Sequence, residues 1–133
     1  MKIIISSFCF VILLFVGCSD TKSIIDKKEA TDQETDQQEL ITLFSEIKTE
    51  AESISCINAN EWSFTAYGSK ACGGPQGYIA YPKSNETSFL EKVTIYTNLE
   101  KAYNKKWNIF STCDIAAKPI GVECKNGKPN LIY

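Results

Sequence analysis

The sequence predicts an α+β domain, with two amphipathic helices on one face of a small antiparallel sheet and two disulfides closing it. Three observations carry this reading. Apolar residues recur at helical spacing in two separate stretches, each followed by a pair of short β-rich runs, and four cysteines fall in the same region.

The first helix is read from ELITLFSEIKTEAESIS, where Leu40, Phe44, Ile47, Ala51 and Ile54 form one stripe and charges fill the other faces, ending near Cys56. EWSFTAYG alternates, with Trp62, Phe64 and Ala66 on one side and Ser63, Thr65 and Tyr67 on the other, as a half-buried strand does. GYIAYP, bounded by Gly77 and Pro82, reads as a second strand. Ser88 and Glu91 have the spacing of a capping box and open the second helix, whose apolar stripe is Phe89, Val93, Tyr96, Leu99 or Tyr103, and Trp107. That stripe is read as core rather than as a cofactor site. IGVECKNGKPNLIY closes the chain as a hairpin, with Asn126-Gly127 supplying a type I′ turn.

The N-terminal region has a different character. Met1-Lys2 and the apolar run to Cys18 describe an export signal over residues 1–17, too short for a comfortable membrane span. Val16-Gly17-Cys18 is similar to a bacterial lipobox, with Phe15 where leucine is usual, and predicts that Cys18 is lipidated and anchors the protein to a membrane. Ser19 after it favours the outer membrane. Residues 18–37 are polar and acidic, without aromatic residues or glycine, which predicts a flexible tether. Residues 38–133 then form a single domain.

Composition narrows the chemistry. From residue 38 onward ten lysines balance ten acidic residues, and no arginine occurs anywhere, so nucleic acid is not an expected partner. The chain has no histidine, which removes Ser-His and Cys-His nucleophile pairs and the commonest metal ligand. Cys9 leaves with the signal and Cys18 carries lipid, so Cys56, Cys72, Cys113 and Cys124 remain for two disulfides, with three possible pairings. Their wide spacing argues against zinc, and the lack of a C-x-x-C pair argues against thiol catalysis. Neither a cofactor nor a metal is expected. The order of elements selects among the pairings. The long helix delivers Cys113 to the end of the sheet that holds Cys72, and the third strand carries Cys124 back toward Cys56.

YGSKACGGPQGYIAYP holds a cysteine, four of the seven glycines and three of the six tyrosines. As structure, Gly74-Pro75-Gln76-Gly77 fits a type I turn, and Gly73 and Gly74 permit positive φ. Ser69 can turn its hydroxyl onto nearby backbone amides. As function, the amides around Gly73 and Gly74, with Lys70 beside them, suit an anion-binding nest. Lys70 and Gln76 would then form an exposed epitope framed by Tyr67, Tyr78 and Tyr81.

EWSFTAYGSKACGGPQGYIAY, followed by the long helix, STC and VECKNGKP, resembles a group of small uncharacterised envelope lipoproteins of Bacteroidota-type bacteria. The resemblance covers residues 56–133 and implies an envelope lipoprotein; it brings no catalytic residue. The expectation is therefore a non-enzymatic binding or inhibitory module that engages a protein or peptide through the glycine-rich loop. A hydrolase would have to rest on Ser69 with Lys70, whose side chains point to opposite faces of an extended segment, or on carboxylates such as Glu61 and Glu123. A purely structural envelope component is the third alternative.

Overall fold

The computed structural model describes residues 21–133. The expected signal segment and Cys18 lie outside the described residues. The elements run α1 (Thr21–Ala51), β1 (Trp62–Tyr67), β2 (Gly77–Pro82), α2 (Glu86–Lys106), β3 (Gly121–Lys125) and β4 (Lys128–Ile132), an α+β order as the sequence predicts.

The four strands do not form one sheet. They make two two-stranded antiparallel sheets, β1 with β2 and β3 with β4. The reason lies in the pleat of the first hairpin. Residues directly across an antiparallel pair share a face, and the register pairs Thr65 with Ile79, Ser63 with Tyr81, and Phe64 with Ala80. One face thus carries Tyr67, Ile79 and Tyr81, and these join Ile47, Ala51, Phe89, Val93 and Tyr96 of the helices in the larger core. The other carries Trp62 and Ala80, which pack with Cys56, Val122, Cys124 and Leu131. A sheet that is apolar on both faces needs a cover on each. The helices supply one cover and the second hairpin the other, giving three layers.

Stacked rings tie the helical layer to the first hairpin. Phe44 lies 4.8 Å from Tyr67 and 5.1 Å from Tyr96, and Tyr81 lies 5.0 Å from Phe89, between ring centroids. The two helices run antiparallel, with Glu50 of α1 accepting from Lys92 and Asn85 at one end and Asp36 accepting from Lys106 and Trp107 at the other.

Three local expectations change. The segment expected as a tether is helical from Thr21, so α1 spans 31 residues, or about 46 Å. Its lysines, glutamates, alanine and glutamines are good helix formers with no glycine or proline among them, and they extend a helix that packing has already nucleated. Asp36 and Gln33, both within that segment, touch α2 at Lys106 and Tyr103, so the folded unit begins before residue 38. At the other end α1 stops at Ala51, leaving Ile54 beyond the helix and exposed. The third change is at the start of α2. Ser88 does not cap it; Asn85 is the N-cap residue, and the Ser88 hydroxyl donates back to the Asn85 carbonyl at 3.0 Å. The Asn85 amide is turned toward Glu50 instead of capping the helix.

The second hairpin closes as predicted. Asn126 and Gly127 have φ of 54° and 75°, the pair of positive values a type I′ turn requires. Cys56 is bonded to Cys124 and Cys72 to Cys113, with Cα separations of 5.2 and 5.4 Å. This is the pairing that the order of elements selects.

Candidate binding loop

The loop of residues 68–76 joins β1 to β2 and is held from three directions. The first is α2. Thr97 Oγ1 accepts from the Gly68 amide at 3.0 Å, Glu100 Oε2 from the Ser69 amide, and Glu100 Oε1 from the Gln76 side chain at 3.3 Å. Asn104 completes the row by donating to the Ser69 carbonyl at 2.6 Å. Positions 97, 100 and 104 follow one another at helical spacing, so a single helix face meets the loop.

The second support is the chain that follows α2. Ser111 Oγ accepts from the Cys72 amide at 3.0 Å, and Cys113 is bonded to Cys72. The Lys70 ammonium donates to the Asp114 carbonyl at 2.7 Å and to its carboxylate at 2.8 Å. Lys70 and the Thr112 hydroxyl, both donating to the Asp114 carboxylate, hold its pKa down to about 2.

The loop also bonds to itself. Lys70 accepts at its carbonyl from the Gly73 amide, and the Lys70 amide donates to the Gly74 carbonyl, each at 2.9 Å. The hydrogen-bonded turn therefore lies at residues 70–73 rather than at Gly74-Pro75-Gln76-Gly77. Gly73 and Gly74, at φ of 103° and 82°, let the chain reverse there, and Pro75 stands just before β2. Gly68 has a tighter requirement. A Cβ at its φ of 74° would lie 2.6 Å from both Gln76 Cγ and Glu100 Oε2.

These contacts redistribute the expected roles. Lys70, whose side chain is 9% exposed, serves the inside of the fold, while Gln76 is exposed and donates to Glu100 at the surface. The Gly73 amide faces Lys70 O, and the Lys70 ammonium is taken by Asp114, so the expected anion nest is not assembled at this turn. The tyrosines do not frame the tip. Tyr67 and Tyr81 belong to the core on the helical side, where the Tyr81 hydroxyl donates to Glu86 at 2.6 Å, and Tyr78 meets Phe64 edge-on at 6.2 Å. Ser69 is held by both its amide and its carbonyl. Glu61 ends a short 3-10 turn before β1 and Glu123 lies in β3, both exposed.

What remains outward is the tip, Ala71, Cys72, Gly73 and Gly74, with Gln76 beside it, together with two large apolar side chains from the neighbouring segment. Phe110 is 94% exposed and Ile115 is 89% exposed. Phe110 borders a shallow depression of about 490 Å³ with Ala71 and Gly73 on one side and Lys101 and Lys105 on the other. The sequence reading missed Glu100, Asn104, Ser111 and Asp114. Only the polar interruption of the second helical stripe at Glu100 and Asn104 hints at them.

No family model matches this chain, and neither a curated protein nor a solved structure matches it significantly.

Proposed function

We propose that this chain is a non-enzymatic binding module of the bacterial envelope, anchored through Cys18, whose rigid loop tip and Phe110 contact a protein or peptide. The observation that carries the reading is the contrast between the base of the loop and its surface. The base is fixed by a disulfide and by bonds to Thr97, Glu100, Asn104, Ser111 and Asp114. Its surface presents open glycine backbone beside a side chain as large and apolar as Phe110. A pre-ordered loop loses little conformational freedom on binding, and exposed aromatic residues are frequent anchors of protein contacts.

The partner in this reading is a protein or peptide, with neither metal nor nucleic acid involved. Among the described residues no helix is long and apolar enough to cross a membrane, and the anchor proposed here is the acyl group on Cys18. The test is a crosslinking pull-down of the intact protein from its own envelope, run beside Phe110→Ser. Loss of the captured partner by about tenfold or more, with an unchanged Tm, supports the reading. Equal capture by the folded variant overturns it.

A further inference from the structure

We propose that the groove along the outer edge of β2 is a second, separate binding site that takes an extended acidic peptide carrying an apolar side chain. The groove encloses about 610 Å³, within the size range of ordinary ligand sites. One wall is the end of α1, with Phe44, Lys48 and Ala51. The floor is Tyr78, Ile79 and Ala80 of β2, and the opposite wall is Lys128, Pro129, Asn130 and Leu131 of β4.

Backbone chemistry selects an extended occupant. Among the described residues both sheets have two strands, so β2 has β1 on one side and no described strand hydrogen-bonded on the other. Edge strands are commonly guarded by charge or by an early proline. β4 begins Lys128-Pro129, whereas β2 reads GYIAYP, with no charged residue and its proline at the last position. An added strand would meet the edge of β2 at Gly77–Ile79, the half that is not buried, and a pocket for one of its side chains, the arrangement that β-augmentation uses.

Charge selects the chemistry of that strand. Lys48 and Lys128 stand on the two walls, and Glu52 is the one carboxylate among the lining residues. The ion pairs among the described residues are Lys70 with Asp114, Lys92 with Glu50 and Lys106 with Asp36, and neither groove lysine belongs to them. The lining therefore carries two positive charges against one negative, and its lysines are available to acidic side chains next to the buried apolar one.

The test uses the full-length, isotope-labelled protein and a short peptide, blocked at both ends, that alternates glutamate and valine around a central phenylalanine. Saturable amide shifts at residues 78–80 and 128–131, weakened about tenfold by the paired changes Lys48→Glu and Lys128→Glu, support the site. Lys48→Ala with Lys128→Ala is the milder pair should the reversal disturb folding, and it should weaken binding in the same direction. Equal binding of the peptide with lysine in place of glutamate, shifts confined to the 68–76 loop, or no saturation overturns the proposal. So does a dimer in sedimentation that buries the groove against a second copy. Phe110→Ser should leave the titration unchanged, so failure of this site and failure of the loop reading are distinguished.

Discussion

The Lys70 ammonium is clamped by one residue, donating to both the carbonyl and the carboxylate of Asp114, which lies 44 positions further along the chain. This contact joins the glycine-rich turn to the segment that carries Phe110 and Ile115, with Lys70 two positions before Cys72 and Asp114 one position after Cys113 of the same bridge.

The clamp sets a pH response. The Asp114 carboxyl is held at about 2 in the folded protein against 3.8 for an ordinary aspartate. A lowered folded-state pKa means that the contribution is complete above the unfolded value and is lost as the pH falls from about 4 toward 2. Carbon-detected titration of Asp114 should give a midpoint near the lower figure. In Lys70→Met it should rise toward the ordinary value, with Thr112 still holding part of the shift. An unchanged midpoint in that variant would remove Lys70 as the cause.

Glycine replacements should separate a steric requirement from a conformational one. Gly68→Ala places a Cβ against Gln76 and Glu100 at positive φ, whereas Gly74→Ala meets nothing within 4 Å and carries only the backbone strain. Strain of that kind costs about 1–3 kcal/mol. Urea denaturation should therefore show Gly68→Ala as clearly the more damaging of the two, and equal midpoints would contradict the contact.

The two disulfides differ in exposure. Cys72 and Cys113 are both exposed, while Cys56 is 3% exposed within the smaller core. With sequence separations of 41 and 68, each bridge contributes about 4 kcal/mol in the chain-entropy model. Mild reductant with alkylation and peptide mapping should open Cys72–Cys113 first, leaving Trp62 buried. Loss of Cys56–Cys124 should come later and expose Trp62 to quencher. The reverse order would mean that access does not govern the reduction.

Asp36 holds the outer part of α1 to α2 through Lys106 and the Trp107 indole, at 2.6 and 2.9 Å. Asp36→Ala should red-shift or quench Trp107 emission and speed amide exchange in residues 28–39, with little change in the core around Phe89. An unaltered spectrum and unaltered exchange would show that helix propensity alone keeps this segment in place.

The acyl anchor proposed at Cys18 is checked chemically. Cys18→Ser should abolish incorporation of labelled palmitate and leave a soluble or uncleaved product. Continued labelling of that variant would exclude Cys18 as the acylated residue.

Much of this fold was legible because local rules and tertiary packing agree. The stripe of Phe89, Val93 and Tyr96, the alternation of β1 and the Asn126-Gly127 turn each depend on residues close in sequence, and all three are in place. Even the disulfide pairing follows from the order and lengths of the elements. What residues 21–37 do was not legible from their polarity, because a solvated helix and a coil have the same composition; the packing of the rest of α1 on α2 and the contacts of Asp36 decide between them. The loop was misleading for a related reason. Lys70 looks exposed in a glycine-rich stretch, and only the approach of Asp114, from 44 positions away, turns it inward. Gln76 stays exposed and meets Glu100 from 24 positions away. Whether the hairpins would join edge to edge or stack likewise depended on the tertiary structure. Both arrangements satisfy the same strand patterns, and stacking is the one that covers Trp62 and Ala80.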